Sequence, residues 1–271
     1  MQCLFGLNKI NFSINFNFEP MKKSIFFVLL VLSVTKLWSQ DPILFEPQKP
    51  VEDRNFRIPL IGESAPSFTA VTTNGELKFP GDYGKSWKVL FSHPQDFTPV
   101  CTTEILELAN LQSQFDKLGV KLVAVSTDQL DTHEQWKKAM ESLAFKDRSA
   151  VKIEFPLVAD ADLSVSKKYG MIHAASNTTR DVRGVYIIDP DNIIRAIYFY
   201  PKEVGRSTDE LLRTLTALQR TKSDNVLTPA NWRAGEDVMV PTIPKADASK
   251  EELTSDGIYN LTWFMWYKKA K

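Results

Sequence analysis

The segment from Trp87 to Leu118 constrains the fold more than any other part of the chain. It opens with the apolar run Trp87 to Ser92 and passes Pro94 and Pro99. It then continues through Thr102, Thr103 and Glu104 into Ile105, Leu106, Leu108, Ala109, Leu111, Phe115 and Leu118 at helical spacing. The apolar run reads as a strand, the prolines break regular structure on either side of Thr98, and the periodic run reads as an amphipathic helix. A strand that turns directly into a helix requires a sheet flanked by helices. Cys101 falls in or just before the first helical turn. Unpaired backbone N–H groups and the positive end of the helix favour a thiolate there, and thiolate is the nucleophilic form of cysteine. The Thr98 hydroxyl lies on the same face of the turn, within reach of the sulfur or a bound oxygen atom.

The same alternation runs through the rest of the body. Ser67 to Thr72 and Glu76 to Phe79 flank Asn74-Gly75, a strong hairpin signal. Lys121 to Ser126 reads as a strand, Thr132 to Leu143 as a helix, Phe155 to Ala159 as a short apolar run and Leu163 to Tyr169 as a short helix. Arg183 to Ile188 and Ile193 to Tyr200 form a hairpin around Asp189-Pro190-Asp191-Asn192, and Thr208 to Thr221 is a helix carrying Leu211, Leu212, Leu215 and Leu218. Strands mixed with crossover helices give an α/β sandwich on a mixed central sheet. From Ser223 prolines and charges take over until Tyr259 to Tyr267, which gathers Trp263, Phe264 and Trp266. Residues 223–271 therefore read as a smaller extension packed on the body or on a second subunit. A chain of 271 residues, 43% hydrophobic, can bury one substantial core plus such an appendage. Its 33 basic and 33 acidic residues cancel, and no basic stripe is interleaved with aromatics, so nucleic acid is not an expected partner.

The N-terminus stands apart from this fold. Met21-Lys22-Lys23, the apolar run Ile25 to Val34 broken only by Ser33, and the polar stretch Thr35 to Gln40 have the layout of a secretory signal peptide. The apolar run is shorter than the roughly 20 residues of an ordinary membrane span, so no stable span is expected once residues 21–40 are cleaved. Residues 1–20 then form an upstream extension ahead of a natural start at Met21, and 41–56 a proline-rich, charged linker. The chain is expected to be exported, to the periplasm or outside the cell. The only other cysteine, Cys3, precedes the signal, which leaves Cys101 without a partner thiol. An odd thiol in an oxidising compartment needs an explanation, and catalysis supplies one.

The run Pro94-x-x-x-Thr98-x-x-Cys101 resembles the active-site signature of peroxiredoxins, and the wider string SHPQDFTPVCTTE is similar to the one-cysteine branch of that family. Further matches follow in order. Arg183-Gly184-Val185-Tyr186-Ile187-Ile188-Asp189-Pro190 resembles the arginine-bearing strand, and Tyr200-Pro201-Lys202-Glu203-Val204-Gly205-Arg206 the segment with a second arginine. Thr228-Pro229-Ala230-Asn231-Trp232 resembles the start of the branch's C-terminal extension. The resemblance implies a thioredoxin-like fold over 57–222, a C-terminal extension and dimerisation domain over 223–271, and a homodimer with the extension crossing to the partner. It implies a thiol peroxidase without cofactor or metal: Cys101 attacks the peroxide and becomes sulfenic acid, which an external thiol or other small reductant recycles. Arg183 would stabilise both the thiolate and the charge on the peroxide oxygens, Thr98 would hydrogen-bond sulfur or peroxide, and Pro94 would shield the pocket. Glu104 and Arg206 would pair and aim Arg183, and His93 would bind substrate in the pocket.

Competing chemistries lack residues. A dithiol oxidoreductase needs Cys-x-x-Cys, whereas Glu104 occupies the second position. A lipase activity attributed to some members of the branch is matched by Ser86 and Asp191, but Pro80 replaces its histidine and Lys88 stands where a glycine is expected. His93, His133 and His173 are about forty residues apart and show no metal-ligand spacing. Asn177-Thr178-Thr179 and Asn260-Leu261-Thr262 fit the glycosylation triplet, which acts only on a eukaryotic secretory route. A non-enzymatic alternative is a catalytically silent binding or chaperone-like module; intact Cys101, Thr98 and Arg183 argue against it.

Overall fold

The computed structural model describes residues 57–176, 179–242, 244 and 257–270. The expected upstream extension, signal peptide and linker, and the triplet at Asn177, lie outside the described residues. Strands β1 (Phe68–Thr72), β2 (Gly75–Phe79), β3 (Trp87–Ser92), β4 (Val120–Ser126), β5 (Leu157–Ala159), β6 (Arg183–Ile188) and β7 (Ile194–Tyr200) make one seven-stranded sheet in the order β2-β1-β5-β4-β3-β6-β7. β3, β4 and β5 run parallel, and antiparallel pairs join them to the hairpins on both sides. Helices α1 (Pro99–Lys117), α2 (Leu130–Met140), α3 (Ser164–Lys168) and α4 (Thr208–Asp224) complete the α/β thioredoxin-like body.

The central strand explains the layering. Every residue of β3 is buried, so it reads as a continuous apolar run, as a strand covered on both faces must. Its side chains still alternate: Val89 and Phe91 join Ile105, Phe115, Trp136 and Leu215 on one face, and Leu90 joins Val123, Val158 and Tyr186 on the other. The exception is Lys88, fully buried in the strand, whose amine donates to Gly84 O and Asn192 Oδ1 at 2.7 Å each. Burial lowers its pKa. The same lysine fills the position a lipase site would leave to glycine, and Asp191 is ion-paired to Lys85 and Lys222 at 3.0 and 2.6 Å. Ser86 therefore has no base.

Beyond α4 the chain forms a second, three-stranded sheet, β8 (Val238–Met239), β9 (Ile258–Thr262) and β10 (Met265–Lys268), in the order β8-β10-β9. Trp232 anchors its start, packing with Ala217 of α4, Val226 and Val238, while its indole N–H donates to Glu236 O at 3.0 Å. The β9–β10 hairpin stacks Tyr259 on Tyr267 but leaves Leu261, Trp263 and Phe264 exposed at its end. No helix among the described residues is long and apolar enough to cross a membrane.

Leu90, with no exposed surface at the centre of the sheet, tests this packing. Leu90→Ala is expected to destabilise the fold by about 2–5 kcal/mol, read from the urea midpoint at unchanged slope.

Candidate active site

The site is built where β3 hands over to α1. The loop His93 to Thr98 crosses from one to the other, and Thr98 caps α1 in an extended conformation with Pro99 as the first helical residue. Proline fits there because that position has no intrahelical hydrogen bond to lose. Cys101 follows in the first turn, whose amides the helix cannot satisfy, and its side chain has no exposed surface. The loop is held in an unusual shape: Phe97 takes a left-handed conformation at φ 54° while its side chain stays exposed. For a bulky residue that conformation stores on the order of 1–3 kcal/mol of strain.

Arg183 enters from the first position of β6. Its Nη1 donates to Cys101 Sγ at 3.3 Å and to Glu104 Oε2 at 2.7 Å, while Nε donates to Lys202 O at 2.9 Å. Arg206 comes from the loop before α4 and grips the same carboxylate with both arms, Nε to Oε1 at 2.8 Å and Nη2 to Oε2 at 2.7 Å. Its backbone N–H adds a third donor to Oε1 at 2.8 Å, and Nη1 donates to Gly184 O at 2.8 Å. The guanidinium lies 3.3 Å over the Phe91 ring. Desolvation alone would raise the Glu104 pKa, but the hydrogen bonds and charge of Arg206, with the charge of Arg183, outweigh it and hold the carboxyl below its ordinary value. The close approach needs Gly184, since a Cβ there would meet Ser92 Oγ at 3.0 Å and the Phe199 ring at 3.2 Å.

Above this cluster lies a cavity of about 520 Å³ bordered by Pro94, Thr98, Val100, Val182, Arg183 and Pro201. Pro94 and Thr98 both line its wall. The Thr98 hydroxyl donates to Gln95 O at 2.8 Å, a turn contact, where the sequence suggested the sulfur or a bound peroxide as its partner. His93 is fully buried and packed against Trp136, with ring centroids 5.1 Å apart.

The sequence also separated residues that the fold unites. His93 and His133 meet around Asp96: His93 Nε2 donates to Oδ1 at 2.8 Å and His133 Nδ1 to Oδ2 at 2.7 Å. His133 Nε2 lies 3.1 Å from Val158 O, so both nitrogens of that ring face oxygen acceptors. Burial lowers the His93 pKa despite Asp96, and the buried Nδ1 of the same ring has no hydrogen-bond partner among the described residues. Ring nitrogens and carboxylate all lie within 4.8 Å of one another, close enough to serve as metal ligands. Both carboxylate oxygens are taken by the two rings, which ties the loop to α2. The about forty residues between the two histidines hid it; the His93 to Asp96 spacing was the available signal.

Comparison with known proteins agrees with this geometry. Residues 61–197 match the AhpC/TSA family, and residues 217–255 match the C-terminal domain of 1-Cys peroxiredoxin. A peroxiredoxin of Methanosarcina mazei is 45% identical over 215 residues, covering 78% of this chain and 98% of that protein. The mitochondrial peroxiredoxin of Saccharomyces cerevisiae is 38% identical over 221 residues, covering 79% and 82%. Among solved structures, a yeast mitochondrial 1-Cys peroxiredoxin, described with a thiol resolving mechanism via glutathione/thioredoxin systems, superposes with TM-score 0.67 at 37% identity, covering 79% of this chain and all of that one. A peroxiredoxin 6 of Arenicola marina, solved as a cysteine-to-serine mutant, superposes with TM-score 0.69 at 34% identity, covering 78% and 98%. With a buried cysteine at a helix start under an arginine, the matched domains and these relatives, the chain belongs to the peroxiredoxin family and is a thiol peroxidase of 1-Cys domain architecture.

Proposed function

We propose that the protein reduces hydrogen peroxide and organic hydroperoxides in a one-thiol cycle at Cys101, after export and as a homodimer. The observation that carries the cycle is the hydrogen bond from Arg183 Nη1 to Cys101 Sγ at 3.3 Å. A guanidinium on the sulfur favours the thiolate, and its positive charge stabilises the negative charge that builds on the peroxide oxygens. The thiolate attacks one oxygen, the O–O bond breaks, and sulfur becomes sulfenic acid. Glu104, gripped by Arg206, fixes the direction of Arg183. Pro94 and Thr98 form the wall against which peroxide rests, and rotation of the Thr98 hydroxyl away from Gln95 O presents it to the bound oxygens. His93 supports the loop from below.

Cys101 is the one free thiol among the described residues, and Cys3 precedes the expected signal peptide. The sulfenic acid therefore needs an outside reductant, for which a thiol of the glutathione or thioredoxin class is proposed by analogy with the yeast relative. Export is supported by the positive, apolar and polar succession over 21–40. The homodimer is supported by the exposed Leu261, Trp263 and Phe264, an apolar hairpin end suited to cover a second subunit.

Residues 41–271 with excess dithiothreitol are expected to consume peroxide, Cys101→Ser is expected to lose that activity, and one equivalent of peroxide should add one oxygen to the Cys101 peptide. An unmodified thiol in folded protein would refute the cycle. Glu104→Gln should lower the rate of Cys101 oxidation by about a hundredfold through misplaced Arg183 and destabilise the fold by about 3–5 kcal/mol. Because the folded Glu104 carboxyl lies below its unfolded value, its stabilisation is full above about pH 5 and is lost as pH falls through the folded value. That acid-side component should be missing from urea titrations of Glu104→Gln. Exported protein is expected to begin after Gln40 by intact mass and to scatter light as a dimer; retained residues 21–40 or a monomer would contradict the respective proposal.

A further inference from the structure

An arginine can be aimed only as well as its backbone is held. The ladder between β3 and β6 stops at Phe91 opposite Val185, two residues short of Arg183. There the chain bends tightly. The Gly184 N–H donates to Val182 O at 3.0 Å, two residues back, which makes Arg183 the middle residue of a γ-turn. The side chain of Ser92, the last residue of β3, closes this turn. Its Oγ accepts the Gly184 N–H at 2.8 Å and donates to Val182 O at 2.6 Å, so one hydroxyl bridges both polar groups that flank Arg183. A hydroxyl is costly to bury in a strand as apolar as β3 unless it is hydrogen-bonded, and Ser92 is fully buried. Its own backbone is fixed from the opposite side: Ser92 stands opposite Val125 of β4, and the His93 N–H donates to Val125 O at 3.0 Å.

Both arginines of the site take their reference from this bridge. Arg183 departs from its centre and places Nη1 3.3 Å from Cys101 Sγ, while Gly184 O, in the same turn, accepts Arg206 Nη1 at 2.8 Å. We propose that Ser92 is a positioning residue for the peroxidase step, setting the aim of Arg183 through the backbone of Val182 and Gly184 without touching sulfur or peroxide. The inference rests on the thiol peroxidase activity of Cys101. Without the hydroxyl, Gly184 N–H and Val182 O keep only each other, and the turn is free to relax. A guanidinium at the end of a long side chain magnifies any rotation of its backbone, and a displacement of about 1 Å at the reacting centre costs about 10²-fold in rate.

The test removes the hydroxyl at nearly constant shape. Ser92→Ala differs from wild type by that oxygen, and Ser92→Val differs from Ser92→Thr by a methyl in place of it. Second-order rates of Cys101 oxidation by hydrogen peroxide are measured by rapid quench and mass spectrometry, in protein shown to be folded by its urea midpoint. Ser92→Ala is expected to react about 10–100-fold more slowly than wild type, and Ser92→Val to fall behind Ser92→Thr by a similar factor. The pairs are then repeated with Arg183→Lys, which keeps the charge and loses the planar fork. In that background loss of the hydroxyl should change the rate by less than about twofold, because Ser92 acts only through the arginine. Unchanged rates in Ser92→Ala would remove Ser92 from the reaction, and equal losses in both backgrounds would make its hydroxyl a general support of the fold; either overturns the proposal. Wild-type protein whose Cys101 resists hydrogen peroxide would overturn the peroxidase activity and the assignment with it.

Discussion

One buried carboxylate holds the site together. Glu104 projects from the first turns of α1 and is gripped by guanidiniums from two other parts of the fold, the start of β6 and the loop before α4. Two positive groups and one negative group leave a surplus positive charge in a space closed to water. A buried surplus charge is expensive unless compensated, and the atom nearest to compensate it is the Cys101 sulfur, which Arg183 touches directly. A negative charge that develops on that sulfur therefore meets a partner already in place. Remove the carboxylate and the two guanidiniums repel each other at the base of the cavity.

The same residues join the halves of the sheet. β3 leads into the helix that carries Cys101 and Glu104, while β6 pairs with β3 and carries Arg183. The register of that pair, Phe91 opposite Val185, brings Arg183 level with the loop that follows Ser92. Ser92 Oγ receives the Gly184 N–H at 2.8 Å and donates to Val182 O at 2.6 Å, stitching the backbone on either side of Arg183 to the end of β3. Catalytic geometry is set here by sheet pairing and not by the flexible reach of an arginine.

Much of this was legible in the sequence, because local patterns suffice for it. The all-apolar β3, the Asn74-Gly75 hairpin and the proline-flanked turn each depend on a few adjacent residues, and the ordered motifs named Cys101, Thr98, Arg183, Glu104 and Arg206. Boundaries moved where a single residue decided them. Within the short apolar run Phe155 to Ala159 the strand occupies only Leu157–Ala159, after Pro156, which has no N–H for a ladder. The last helix of the body runs past Thr221 to Asp224 because its terminator is Asn225, left-handed at φ 52°. What stayed hidden requires the closed fold: the meeting of His93 and His133 on Asp96, the turn bond that occupies Thr98, and the bridge of Ser92 across Arg183.

The complete burial of Cys101 puts oxidation and reduction on separate clocks. A peroxide is small enough to enter a cavity of about 520 Å³ and meet the sulfur in the folded site. A protein thiol is far larger than that cavity, and the sulfur it would have to meet has no exposed surface. The strained Phe97 sits in the loop that leads to the sulfur, while the tie of Asp96 to two imidazoles holds that loop down. The strain at Phe97 and the tie of Asp96 to His93 and His133 thus act in opposite senses on the stability of the loop beside the sulfur.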